Sequence, residues 1–437
     1  MCSQVADMLR DGSTIVSSEG RDMIDPRVRS MLALGAPAIL VGIAAALILL
    51  VVVLAANLLQ HFLWQSLPSL MGATANTWWW ILGVMTFTGL AVGLVVRYVP
   101  GHAGPDPATV SLFGAPTAIG ILPSLALALI LALAGGVSLG PENPIIAIIV
   151  GLTVAIGARL MPRVAAKGWV MLAAAGTIGA MFGTPVAAAL LFSEMVGGDK
   201  DTPIWDSLFA PLVAAGAGAL TMSQFEEMDF SLPIDPYLHP TLGDIGLGML
   251  VALAAIAIGM AAVWLFPRMH RLFNAIGHPV LILTLGGFLL GLLGIWGGPI
   301  TMFKGLAEMK TLANSAGQLS ASTLAVIVVI KLVAVLISAT CGFRGGRIFP
   351  MVFVGVAFGL FVHQLFPAVP MALAIACSVL GFTLVVTRDG WLSLFMGAIM
   401  IPGIELLPLL CVVILPAWLV LAGRSEMLIK ETGAGKT

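Results

Sequence analysis

Charge is scarce in this chain. Only 20 of its 437 residues are Lys or Arg and 21 are Asp or Glu, 9% together, where an ordinary soluble domain carries about a quarter. That deficit, beside 59% hydrophobic residues, excludes a water-soluble globular protein and implies a polytopic membrane protein. A formal charge of −1 without any basic run gives nucleic acid nothing to bind. Tyrosine is almost missing, Tyr98 and Tyr237 being the only two. The cysteines Cys2, Cys341, Cys377 and Cys411 follow neither a disulfide nor a zinc spacing, and three of them lie in apolar runs as small hydrophobes. The histidines are scattered and no H-E-x-x-H helix is present, so neither a cofactor nor a metal is expected.

Long apolar runs fill the rest. At about 20 residues per span, candidates lie at 31–59, 78–99, 121–139, 145–161, 169–192, 205–222, 242–266, 279–301, 321–341, 349–367, 370–387 and 391–422, several too short or interrupted to cross alone. The apolar core that begins at residue 31 is too long for a signal peptide. Arg10, Arg21, Arg27 and Arg29 before it place the amino terminus in the cytoplasm, and Arg97 after the second span agrees. Met23 and Met31 leave the start codon open. Trp78, Trp79 and Trp80 read as an interfacial aromatic belt.

Around Gly140-Pro141-Glu142-Asn143-Pro144 one carboxylate stands between two prolines inside an otherwise uncharged stretch. An ionisable group at membrane depth marks an ion or substrate pathway by default. The prolines should end one helix and begin another near Glu142. The first N–H groups of the new helix lack intrahelical partners, and with the macrodipole they attract anions. Such broken backbone survives at depth only where it is buried in protein or lines a wet cavity.

The order of breaks repeats. Gly140 to Pro144 and Gly183 to Pro185 in one half answer to Gly342 to Pro350 and Thr387 to Gly390 in the other, each second break leading to a Leu-Phe pair, Leu191-Phe192 and Leu394-Phe395. Interrupted segments at matching places indicate two repeats with a binding site between them. The expected divisions are a cytoplasmic segment 1–30, a first membrane repeat 31–222, a polar linker 223–244, a second repeat 245–423 and a tail 424–437.

Several charges admit more than one role. Asp106, in Gly101-His102-Ala103-Gly104-Pro105-Asp106-Pro107, is either a helix cap or part of the inner lip of a pathway. Glu194 precedes the charged loop 197–201 and is either a solvated helix end or a proton acceptor at the mouth of an internal route. Arg344 and Arg347 either draw anions into a vestibule or anchor a helix end at the interface. Arg388 and Asp389 are expected to form a structural pair at a helix break. Gly345-Gly346 would let backbone approach an anion, with freedom to adopt positive φ.

Together these residues resemble the chloride channel (CLC) family, over roughly 31–423 and most of all a bacterial branch of ion-transport proteins. Gly140-Pro141-Glu142-Asn143-Pro144 resembles its G-R-E-G-P element, with Pro141 and Asn143 replacing the basic residue and glycine. Gly345-Gly346-Arg347-Ile348-Phe349-Pro350, followed by Gly355 and Gly359, resembles G-G-I-F-A-P. Lys331 falls where a bacterial member also has a basic residue. The resemblance implies an all-α fold of two inverted-topology repeats whose broken helices meet at a central anion pathway, without CBS domains. It implies a gate at Glu142 and an anion path along Gly140, Pro141, Asn143, Ala103, Gly104, Gly345, Gly346, Arg347, Ile348 and Phe349, with Glu194 in proton transfer. Two features depart from the family. Ala103 stands where a serine hydroxyl contacts the central anion, and the tyrosine near the carboxyl terminus has no counterpart, which leaves backbone N–H groups near Ile348 and Phe349 to hold the ion.

The expected function is transport of small inorganic anions, chloride-like, by a channel or a proton-coupled exchanger in a bacterial inner or plasma membrane, as a homodimer. Fluoride or a small oxyanion is the alternative cargo. An intramembrane enzyme using Glu142 or Asp389 with His102 is the alternative class, although no nucleophile and base stand at a recognisable spacing.

Overall fold

Helices begin and end in this chain where proline and glycine interrupt apolar sequence. The computed structural model describes residues 26–112, 114–196, 203–225 and 229–429. The polar start 1–25, the charged loop 197–202, Glu226 and Glu227, and the tail from 430 lie outside the described residues. The first half comprises α1 (Pro26–His61), the short α2 (Leu67–Leu70), α3 (Trp78–Tyr98), α4 (Leu122–Ala134), α5 (Glu142–Leu160), α6 (Ala166–Phe182), α7 (Pro185–Val196) and α8 (Ile204–Met222). The second comprises α9 (Leu242–Asn274), α10 (Pro279–Gly297), α11 (Leu306–Ser315), α12 (Ala321–Thr340), α13 (Ile348–Leu365), α14 (Met371–Thr387), α15 (Gly390–Ile399) and α16 (Leu407–Leu421). Among the described residues eight helices are long and apolar enough to cross a membrane, while α4, α6, α7, α14, α15 and α16 are apolar but shorter. The run 391–422 is therefore two helices, parted by a turn at 400–406.

Small residues bring these helices close, as expected where lipid offers no hydrophobic drive for association. A Cβ on Gly179 of α6 would lie 2.1 Å from the Ala215 carbonyl of α8, so the two backbones touch there. The repeat is visible residue by residue. The helix ends Ala134 and Thr340, the left-handed glycines Gly136 (φ 93°) and Gly342 (φ 89°), and the helix starts Glu142 and Ile348 are each 206 residues apart. Gly140 and Gly346 stand at the same separation and pair directly as an antiparallel bridge. Gly140 N–H donates to Gly346 O at 2.8 Å and Gly346 N–H to Gly140 O at 2.6 Å. The two broken segments thus meet head to head in the middle of the protein.

Two local expectations change. Trp80 is buried, donating its indole N–H to Leu63 O at 3.1 Å, while Trp78 and Trp79 stay exposed. The belt therefore loses Trp80, because the helical turn rotates it inward. Residues 229–241 are also less polar in place than in composition: Phe230 and Leu232 are buried, and Leu232 N–H donates to Met400 O at 2.9 Å. Asp244 already belongs to α9, whose start it closes in a capping box with Thr241.

Candidate functional site

Glu142 is the first residue of α5 and is fully buried. Its Oε1 accepts a 2.7 Å hydrogen bond from the backbone N–H of Phe349, the second residue of α13. Its Oε2 has no partner among the described residues. That N–H is one of the orphan donors of a helix start, so a carboxylate from one repeat occupies the anion-attracting end of a helix from the other. Gly140 and Gly346 form the cradle. A Cβ added to Gly346 would stand 2.0 Å from Glu142 Oε2, and one on Gly140 2.2 Å. Gly346 is absent from the left-handed residues among those described, so it is glycine here for space and not for positive φ, contrary to the expectation above.

Cavities reach this contact from two sides. One, of about 340 Å³, is lined by Pro141, Phe349, Phe230, Phe303, Lys304 and Glu308. Another of about 340 Å³ is lined by Ala103, Asn143, Arg344 and Gly345, and a third of about 260 Å³ by Asn143, Arg347, Ile348 and Asp389. Pro141 and Phe349 face the first while their neighbours Asn143 and Ile348 face the others, so the Glu142–Phe349 bond lies between. Phe349 itself is braced by Phe230, stacked at 5.9 Å, and by Phe182 at 5.7 Å. Phe230 came unannounced, since an aromatic within an acidic, proline-containing segment gives no sign of which helix end it will meet.

The remaining expected residues divide. Ala103 is fully buried, and its N–H donates to Ser124 Oγ at 3.1 Å. His102 and Ala103 are left-handed, at φ 52° and 54°. Arg344 holds this loop by donating to Ala103 O (2.7 Å), Gly104 O (2.9 Å), His102 O (3.2 Å) and Gly342 O (2.9 Å). Neither Arg344 nor Arg347 anchors a helix at the interface, because each is only 7% exposed. Arg347 donates from Nη1 to Met427 O and lies 5.5 Å from the Phe266 ring. Lys331, fully buried, donates to the carbonyls of Thr301, Met302 and Phe303 at 3.2, 2.9 and 2.7 Å.

Glu194 is exposed at the end of α7; Leu191, one turn earlier, lines the 260 Å³ cavity. Arg388 and Asp389 do not form the expected pair. Arg388 donates to Ser425 O at 2.6 Å, and Asp389 caps α15 by accepting from Leu392 N–H at 2.7 Å. Among the described residues no ion pair joins them. Left-handed backbone at Arg388 (φ 54°) turns the two side chains apart. His102 lies away from both carboxylates of the enzymatic alternative, its Nδ1 2.9 Å from Val96 O. Asp106 does cap, accepting from Ala108 N–H at 2.9 Å, and also reaches across the molecule to His270 Nε2 at 2.7 Å. Burial alone would raise the Asp106 pKa, but His270, the Ala108 N–H and Arg344 together hold it below the usual carboxylate value.

A helical membrane protein of two repeats whose broken helices face each other has a known counterpart. The family model for the voltage gated chloride channel matches residues 88–422. Relatives carrying the name "Putative ion-transport protein YfeO", from Shigella boydii and Escherichia coli among others, are 56% identical over 410 residues, covering 94% of this chain and 98% of theirs. Solved structures share the fold. A slow cyanobacterial Cl−/H+ antiporter matches with TM-score 0.73 at 19% identity, covering 92% of this chain and 96% of its own. A CLC-type fluoride/proton antiporter matches with TM-score 0.68 at 18% identity, covering 90% and 96%. The chain belongs to the voltage gated chloride channel family, the CLC architecture of anion transport.

Proposed function

We propose that this protein moves small inorganic anions, chloride-like in size and charge, along a path through Glu142, as a channel or as an exchanger coupled to protons. The observation that carries this is the hydrogen bond from Phe349 N–H to the Glu142 carboxylate. An ionised carboxylate there competes with an anion for the same donors, and a protonated one loses most of that attraction and can swing aside into the 340 Å³ cavity beside Pro141. Fluoride or a small oxyanion is the second reading, favoured by the alanine at 103 where the resemblance expects a hydroxyl.

The setting we propose is a bacterial inner membrane with the amino terminus inside. Arg97 and Arg271 stand in the last turns of α3 and α9, and the Asp106–His270 contact ties those two ends to one face. The pathway would be complete in each subunit of a homodimer, as the family resemblance implies. Purified protein in liposomes, given chloride, bromide, nitrate and fluoride gradients with external pH recorded, tests all of this together. Flux of at least one anion is expected. No flux of any would overturn the transport reading and restore the intramembrane enzyme.

A further inference from the structure

Three buried cations surround the site, and only two are accounted for. Lys331 is enclosed by three carbonyls and Arg344 by four. Arg347, equally buried, gives Nη1 to the Met427 carbonyl, while its Nε and Nη2 have no partner among the described residues. No carboxylate among those residues lies within ion-pair distance of it. A buried charge is costly without a counter-charge, and this guanidinium faces the 260 Å³ cavity behind Glu142.

The unused donors determine what fits. Nε–H and Nη2–H lie on one edge of the guanidinium plane and point in parallel, the geometry that matches two oxygens of a planar oxyanion and that a spherical halide meets with one contact point. Asn143, in the first turn of α5, lines the same cavity with a side-chain amide that has no partner among the described residues. Ile348, the first residue of α13, lines it too. Asp389 and Glu426 also line this cavity, Glu426 next to Met427, whose carbonyl Arg347 binds.

We infer that the cavity behind Glu142 is a binding site for a small planar oxyanion, held side-on by Arg347 Nε and Nη2 and by the Asn143 amide, and that this site makes the protein prefer such ions over halides. The inference rests on the anion-transport reading and adds the substrate class to it.

Nitrate is the probe and chloride the comparison, in liposomes holding wild type or Arg347→Lys. Wild type is expected to carry nitrate roughly tenfold faster than chloride, about the value of one additional charge-assisted hydrogen bond. Arg347→Lys keeps the charge but not the paired edge, so the nitrate-to-chloride ratio should fall toward one, whatever happens to the absolute flux of either ion. An unchanged ratio in Arg347→Lys, or wild type favouring chloride or fluoride, overturns the inference and leaves anion transport standing. Failure of every anion to move overturns both. Should Arg347→Lys not fold, titration calorimetry of wild type with sodium nitrate and with sodium chloride decides: saturable nitrate binding roughly tenfold tighter supports the site, and equal affinities overturn it.

Discussion

Glu142 and Phe349, 207 residues apart in sequence, are joined by a 2.7 Å hydrogen bond from the Phe349 N–H to the Glu142 carboxylate. On the proposed reading, this one carboxylate is both the plug of a helix end and the group whose protonation would free it.

Wild-type flux is therefore expected to rise as pH falls, since protonation removes the charge that holds the carboxylate on the N–H. Glu142→Gln, which cannot ionise, should give flux that hardly changes with pH and is uncoupled from protons. Liposome flux at two pH values for both proteins checks this, and a mutant that keeps the wild-type profile would reduce Glu142 to a helix cap worth roughly 1 kcal/mol of stability.

Gly346→Val should cut anion flux and displace the Glu142 side chain together. A Cβ at 346 would stand 2.0 Å from Glu142 Oε2, and forcing extra carbons into a closed core costs about 1–3 kcal/mol. A lowered unfolding midpoint with weakened anion binding is the expected pattern. Unchanged flux in a normally folded variant would show that the glycine serves packing alone.

Glu194→Gln is expected to slow proton movement more than anion movement, because Glu194 is an exposed carboxylate one turn beyond Leu191, which lines the same cavity as Asn143 and Ile348. Simultaneous pH and anion electrode traces separate the two fluxes. Equal loss of both, or no loss, returns Glu194 to a solvated helix end.

Asp106→Asn should alter acid stability. The Asp106 carboxyl is held below its ordinary value of 3.8, chiefly by His270 against the opposing effect of burial. A lowered folded-state value means a contribution that is complete above pH 3.8 and lost as pH falls through the lower folded value. Unfolding midpoints measured in detergent should therefore converge for wild type and Asp106→Asn at the most acidic pH and diverge above about pH 4. Parallel curves throughout would show that the contact across the molecule adds nothing to stability.

Much of the architecture was legible because its signals are local. Proline lacks an N–H wherever it stands, so Pro141 and Pro144 announce a helix start at Glu142 without reference to the rest of the chain. Scarce charge and long apolar runs likewise require a membrane, and the matching breaks of the two halves could be counted in advance. Local pattern could not say which donor Glu142 meets. That follows from the pairing of Gly140 with Gly346, which brings two helix starts from opposite halves to one point. Nor could it separate Arg344 from Arg347. The two arginines stand three residues apart in one glycine-rich segment, yet the loop at 102–104 surrounds the first with carbonyls while the second is left facing a cavity. Phe230 and the reach of Asp106 to His270 are of the same kind, since those partners come from distant parts of the chain. The sequence by itself determined where helices break and that a carboxylate stands at one of the breaks. Only the tertiary structure decided what each exposed donor and buried charge would face, because hydrogen-bond partners at a helix end are supplied by whatever packs against it.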